Sequence, residues 1–238
     1  MEKKIQKNIK RLTKYGIRYI VVMFILLIIH TIILFTSAGH FYLPRVLFFL
    51  IMTFIYYLIS TIILYKANPD LINQRGVVKS DAKLWDQFLM RAHNIMVIFV
   101  MPAIIGLDVG RFQWSNLSIY YVIPGFIFYI ISTILINWAM IVNPHFEATV
   151  RIQKDRDHKV ITKGPYNIIR HPGYLSGILW TVAVPLITGS FFGLIPGGVA
   201  ILLLILRTFL EDKTLQSELN GYSKYVKKVK YKLFPGIW

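Results

Sequence analysis

Six apolar runs alternate with short polar, mostly basic segments along the chain. They fall at about 17–35, 45–65, 93–107, 119–142, 174–188 and 191–206. A helix that crosses a bilayer needs about 20 such residues. The first run follows directly on a basic stretch and reads as an uncleaved span. A cleaved signal peptide is the alternative, with a long apolar region and only a weak cleavage site at 36–39. The link 37–44 is too short for a domain, so the first two spans form an antiparallel hairpin. Segment 66–91 is polar, with Asn68-Pro69 as a helix stop, Arg75-Gly76 as a turn, and Trp85 and Phe88 at the membrane interface. The third run is short and contains Pro102. Such a span is tolerated only where neighbours or water satisfy the freed backbone groups. Asn143-Pro144 stops the fourth run. The last two, parted by Gly189-Ser190 and flanked by Pro185, Pro196, Gly197 and Gly198, read best as a transmembrane hairpin; one broken helix is the alternative. The pattern predicts an all-α, polytopic membrane helix bundle of about six spans. Residues 1–142 hold four spans and the loop 66–92. Residues 143–238 complete the same integral domain with a polar loop, the hairpin and a C-terminal helix.

Composition agrees. Of 238 residues 55% are hydrophobic, and mean hydropathy is +0.56, too apolar for an ordinary soluble domain. The net charge of +16 would suit nucleic acid, but the basic residues sit between apolar runs and not along one soluble face. Their distribution sets an orientation instead. With six spans, one side receives Lys3, Lys4, Lys7, Lys10, Arg11, Lys14 and Arg18, the bases of 66–91, those of 151–170 and those of the tail. Only Arg45 and Arg111 fall on the other side. Both termini are therefore expected in the cytoplasm, together with the central polar loop. Cysteine is absent, which removes disulfide, thiolate and Cys-metal chemistry. The Lys/Ile-rich, Cys-free composition favours a prokaryotic cytoplasmic membrane, with the endoplasmic reticulum as the alternative, since the charge rule holds in both.

Chemistry concentrates in 158–174, HKVITKGPYNIIRHPGY. Gly164-Pro165 signals a turn. Pro172 suits the first position of the following helix. Arg170 and His171 then lie at a helix N-terminus, where free N–H groups, the helix dipole and a guanidinium favour a carboxylate or phosphate. Tyr166 and Tyr174 can donate hydrogen bonds or stack, and His158 adds a donor. The plainer reading is a basic loop touching anionic lipid. Charge alone would suffice for that, without His-Pro at a helix start. In the tail, Arg207, Glu211, Leu215 and Glu218 make one helical stripe, with Glu211 emerging at the membrane surface. Gly221 is a candidate C-cap, and Leu215, Leu219 and Tyr222 give an apolar edge that folds back on the bundle. Alone, this stripe also suits an interfacial amphipathic helix with a weak Arg–Glu pair.

Together, GPYNIIRHPGY, the run R-xxx-ED-xx-L-xx-EL-xG-Y-xx-Y and a terminal LFPGIW resemble the isoprenylcysteine carboxyl methyltransferase family, whose wider superfamily includes phospholipid N-methyltransferases. The resemblance covers 143–238, with KANPDLINQR at 66–75 as a further likeness. It implies S-adenosylmethionine bound from the cytoplasmic side and a lipophilic or prenylated acceptor entering from the membrane lipid, with no nucleic acid and no metal. His158, Gly164, Tyr166, Arg170, His171 and Tyr174 match the family's cofactor-binding positions. Arg207 and Glu211 match its catalytic Arg and Glu. Asp212 stands where the family has a second Glu. Arg170, His171 and His158 would hold the cofactor's carboxylate, while Arg207 orients a carboxylate acceptor or Glu211 takes a proton from an amine.

Other readings compete. An NADPH-dependent membrane reductase of sterol-reductase type could use the same cationic loop, and so could a lipid-binding protein without catalysis. His30, deep in span one, is a functional candidate by its position, with a neutral, interhelical hydrogen-bonding role the favoured reading, and Asn137 in span four either faces the pocket or bonds a neighbouring helix. His145 and Glu147 fall near the loop mouth. The scattered His residues lack ligand spacing for a metal.

Overall fold

The computed structural model describes residues 11–79 and 81–238. The expected basic residues Lys3, Lys4, Lys7 and Lys10 lie outside the described residues. Among those described, the chain is helical without strands. Five helices are long and apolar enough to cross a membrane: α1 Lys14–Ala38, α2 Pro44–Ala67, α4 Leu84–Phe112, α5 Ile119–Val142 and α7 Leu194–Glu218. The shorter apolar α6, Pro172–Thr188, pairs with α7. Two small helices lie outside the bilayer pattern, α3 Pro69–Arg75 and α8 Tyr222–Lys228. A helical membrane bundle is thus the fold.

The apolar runs mark these helices because lipid-facing and packed faces are both hydrophobic. Ile25, Ile28 and Ile32 on α1 and Ile51, Ile55 and Ile62 on α2 remain exposed. The packed core joins Leu34 and Ala38 of α1 to Phe49 of α2, Met101 and Ile105 of α4, Tyr129 of α5 and Val184 and Ile187 of α6.

The third span is longer than its apolar run. It begins at Leu84, because the polar residues Asp86, Gln87 and Arg91 continue the same helix. Pro102 is accommodated inside the chain itself. Residues Ile95–Val100 adopt π-helix, so the Met101 N–H donates to the Met96 carbonyl five residues back. The last pair is a hairpin and not one broken helix. Gly189 takes the left-handed conformation (φ 89°), and both its N–H and that of Ser190 bond the Pro185 carbonyl.

At the end of the bundle that carries this turn, the two basic residues cap helix C-termini. Arg45 donates to the carbonyls of Leu186 and Ile187 at 2.7 and 2.9 Å. Arg111 donates to those of Ser37 and Thr36 at 2.9 and 3.1 Å. Such cations offset the negative ends of the helix dipoles. Asp108 is fully buried there and accepts from Ser115 and Ser190. Within the bundle, Asn137 bonds Ser60 on α2 at 2.7 Å, as the interhelical reading expects. The His30 Nε2 has no partner among the described residues.

Candidate active site

The opposite end of the bundle carries the polar loops, and its organisation starts from Pro172. A proline at the first position of α6 needs no N–H partner. The chain before it is extended and pairs with the C-terminal segment: the N–H groups of Arg170 and His171 each donate, at 3.0 Å, to the carbonyls of Tyr231 and Lys232. The donors expected to face a bound anion are therefore partly used by the chain itself.

The same holds for the guanidinium of Arg170. It donates through Nε and Nη2 to the two oxygens of Asp212, at 2.8 and 3.0 Å. Its Nη1 reaches the Val229 and Lys230 carbonyls, both at 2.8 Å. Asp212 also receives the Tyr222 hydroxyl at 2.9 Å and the Gln216 amide at 3.0 Å, and its Oδ1 lies 3.2 Å from His171 Nε2. This carboxylate is 1% exposed, so each donor replaces water it has lost.

Arg207 has a similar anchor. Its Nε donates to Asp86 Oδ1 at 2.6 Å and its Nη2 to the Ala148 carbonyl at 2.8 Å. The other Asp86 oxygen accepts the Val150 N–H at 2.8 Å. The start of α4, the end of α7 and the loop 148–150 are thereby locked together. The Arg207 guanidinium lies 5.1 Å from the Tyr174 ring centre. The Tyr174 hydroxyl donates to Glu211. Among the described residues, Glu211 forms no ion pair with a Lys, Arg or His.

These groups surround one cavity of about 300 Å³, at the small end of the range for small-molecule sites. His158, Tyr166, Arg170, His171, Tyr174, Arg207 and Glu211 all line it. Gly164 does not. Its φ is +58°, and a Cβ there would lie 2.8 Å from Trp138 Nε1, so it shapes the turn against α5. On the membrane side the walls are Met90, Ile136, Gly177 and Leu204, from four different helices. The apolar edge of the tail does fold back: Leu219 and Tyr222 are buried, and Leu219 closes α7. Gly221 (φ 84°) lies in the turn that starts α8, two residues past that cap.

The loop wall is built from tyrosines and two histidines. Burial raises the Tyr166 phenol above its ordinary range; its oxygen accepts from Asn143 at 2.9 Å. The rings of His145 and His158 lie 4.6 Å apart. Burial, then the neighbouring His145, lowers the His158 pKa from 6.5 to about 4, so its ring is neutral at pH 7. Behind them Glu147 is enclosed by Arg151 at 2.7 Å and Lys79 at 3.3 Å. Among the described residues, no cluster of three or more His, Asp or Glu could hold a metal ion.

Sequence reasoning missed several wall residues and Asp86, which lies behind the wall and anchors Arg207. Asp86 carried a faint signal, a carboxylate next to Trp85 at the start of an apolar helix. Tyr225 stands at the end of the R-xxx-ED run without having been assigned to the site, and Met90, His93 and Thr149 carried no signal, because nothing in their local pattern differs from packing positions.

Residues 120–220 match the family described as phospholipid methyltransferase. Two rice proteins, from Oryza sativa subspecies indica and japonica, are each named "Probable protein-S-isoprenylcysteine O-methyltransferase". Each is 34% identical over 59 residues, which is 24% of this chain and 31% of the rice protein. The likeness of the chain to membrane methyltransferases, first seen in GPYNIIRHPGY, is supported by both comparisons.

Proposed function

We propose, from the match of residues 120–220 to the phospholipid methyltransferase family, that this membrane protein transfers a methyl group from S-adenosylmethionine to a lipophilic acceptor. The carrying observation is a cavity that joins the polar loop wall to walls supplied by spanning helices. A charged cofactor and an apolar acceptor can meet only where both surfaces exist.

The donor set fits the cofactor. Glu211, free of a cationic partner among the described residues, and the faces of Tyr174 and Tyr166 suit a sulfonium or ammonium group. His158 and His171 offer ring nitrogens for its polar ends. When bound, the cofactor supplies an activated methyl group. The chain's own part is positioning and exclusion of water. Asp86 and the Ala148 carbonyl fix Arg207, and the Tyr174 hydroxyl fixes Glu211. Met90, Ile136 and Leu204 keep the membrane end dry and admit an apolar tail. The polar loops face the cytoplasm in this reading, consistent with the basic residues around them.

Two nucleophiles suit the cavity. An oxygen nucleophile, as the O-methyltransferase name of the rice proteins states for them, would here be a carboxylate oriented by Arg207. An amine, as some phospholipids carry, would lose its proton to Glu211 before attack. The second gains from one observation: Arg207 already has Asp86 as its counter-ion. The test is incubation of detergent-purified protein with methyl-labelled S-adenosylmethionine and a membrane lipid extract. Label in the organic phase, lost in Glu211→Gln, is expected. No transfer to any lipid fraction would overturn the reading.

A further inference from the structure

Five buried side-chain polar atoms lack a hydrogen-bond partner apiece, or share none, among the described residues: Arg75 Nε, His93 Nδ1 and Nε2, Thr149 Oγ1 and His30 Nε2. Four of the five belong to residues that line the one cavity. Buried polar groups are nearly always paired, because leaving one bare forfeits its hydration without return. Bare polar atoms on several residues around one cavity point to where a ligand's polar group can complete them.

The three residues come from separate elements. Arg75 ends α3; its Nη1 donates to the Phe146 carbonyl at 3.2 Å, and its guanidinium lies over the rings of Tyr19 and Phe146. It has no carboxylate partner among the described residues, unlike Arg151, Arg170 and Arg207. Thr149 follows Phe146 by three positions, next to the Ala148 carbonyl that Arg207 holds. On α4, Asp86, Met90 and His93 fall at i, i+4 and i+7, so they share a face. Asp86 meets Arg207, and His93 lies about 10 Å further along the helix toward the membrane interior.

We propose that Arg75, His93 and Thr149 form a second polar subsite of this cavity, which receives the oxyanion headgroup (carboxylate or phosphate) of the amphiphilic acceptor. Each of the three can donate a hydrogen bond, and Arg75 brings a positive charge that no carboxylate neutralises. An oxyanion satisfies all three together. Of the three, His93 precedes residues 120–220, the segment that matches the family, Thr149 lies within it, and Arg75 ends the family-like stretch 66–75. The inference rests on the methyltransferase reading.

The test measures binding in nonionic detergent, with S-adenosylhomocysteine as the cofactor probe. A lysophospholipid and an S-prenylated cysteine serve as phosphate- and carboxylate-headed probes. Wild-type protein is expected to bind S-adenosylhomocysteine and at least one headgroup probe; which one binds identifies the oxyanion. Arg75→Gln and His93→Leu should each weaken that probe by roughly tenfold or more. Cofactor affinity should stay within about twofold, and Arg75→Lys should recover part of the loss. Melting temperatures near wild type confirm folding, since neither His93 nitrogen loses a partner. Unchanged probe affinity in both variants overturns the proposal, as does a wild-type protein that binds the cofactor probe and neither headgroup. Loss of S-adenosylhomocysteine binding in the variants would assign these residues to the cofactor instead. Wild-type protein that binds no S-adenosylhomocysteine overturns the methyltransferase reading itself.

Discussion

Arg170 and Asp212, 42 residues apart, meet in a two-pronged ion pair at 2.8 and 3.0 Å, with both side chains nearly inaccessible. The pair ties the start of α6 to the end of α7 and, through the remaining Arg170 donors, to the C-terminal segment. Arg170 itself and two groups bonded to Asp212, His171 and Tyr222, line the cavity, so that part of the wall depends on the pair.

Asp212→Asn should therefore destabilise the protein by about 3–5 kcal/mol, the usual cost of leaving a buried charge without its partner. Thermal unfolding in detergent checks this. Arg170→Ala should lower both stability and cofactor affinity, because it removes the wall's anchor together with a cavity cation. Arg170→Lys should recover little, since an ammonium cannot make the two-pronged contact.

Gly164→Ala should cost about 1–2 kcal/mol from the left-handed backbone alone, and more from the approach to Trp138. A thermal shift measurement reads the loss. Cofactor affinity should change little where the variant is folded, because Gly164 does not reach the cavity.

Stability should fall as pH drops from 6.5 toward 4. The unfolded chain takes up a proton on His158 near its ordinary 6.5, whereas the folded one resists until about 4. The unfolded state then binds more protons, so the contribution, complete above 6.5, is lost as pH falls through that window. His145, also lowered by burial, acts in the same direction. Asp155, held down by Arg151, keeps its stabilising contribution above its ordinary 3.8 and begins to lose it only below that pH. Melting temperatures from pH 7 to 4 should decline, and His158→Gln should flatten the decline.

Glu211→Gln should leave cofactor affinity within a few-fold and reduce turnover by about 100-fold or more, if the acceptor must lose a proton. Titration and methyl-transfer assays on the same sample separate the two effects.

The spans were legible because lipid accepts apolar side chains on every face, so the runs 45–65 and 119–142 fall close to α2 and α5. The start of α4 was not, since Asp86 and Arg91 break the apolar run although the helix continues. The π-helical turns around Pro102 left no mark either. In the site, the motif identified seven residues that line the cavity. It could not supply their partners. Asp86 meets Arg207 across 121 positions, and Asp212 gathers Arg170, His171 and Tyr222 from two distant segments. Such convergence is a property of packing. The cationic loop read as an open anion site is for this reason largely self-satisfied, while of the unsatisfied groups Arg75 ends the stretch KANPDLINQR and His93 and Thr149 lie on stretches without a pattern.

The most direct test is calorimetric titration of S-adenosylmethionine into the detergent-purified protein, with NADPH in parallel and His158→Leu as the cavity-wall variant. His158 is suited to this because its side chain anchors little else. Saturable binding of the methyl donor, weakened in the variant and absent for NADPH, is the expected result. Binding of NADPH alone, or of neither by folded protein, would contradict the assignment of this cavity to a methyl donor.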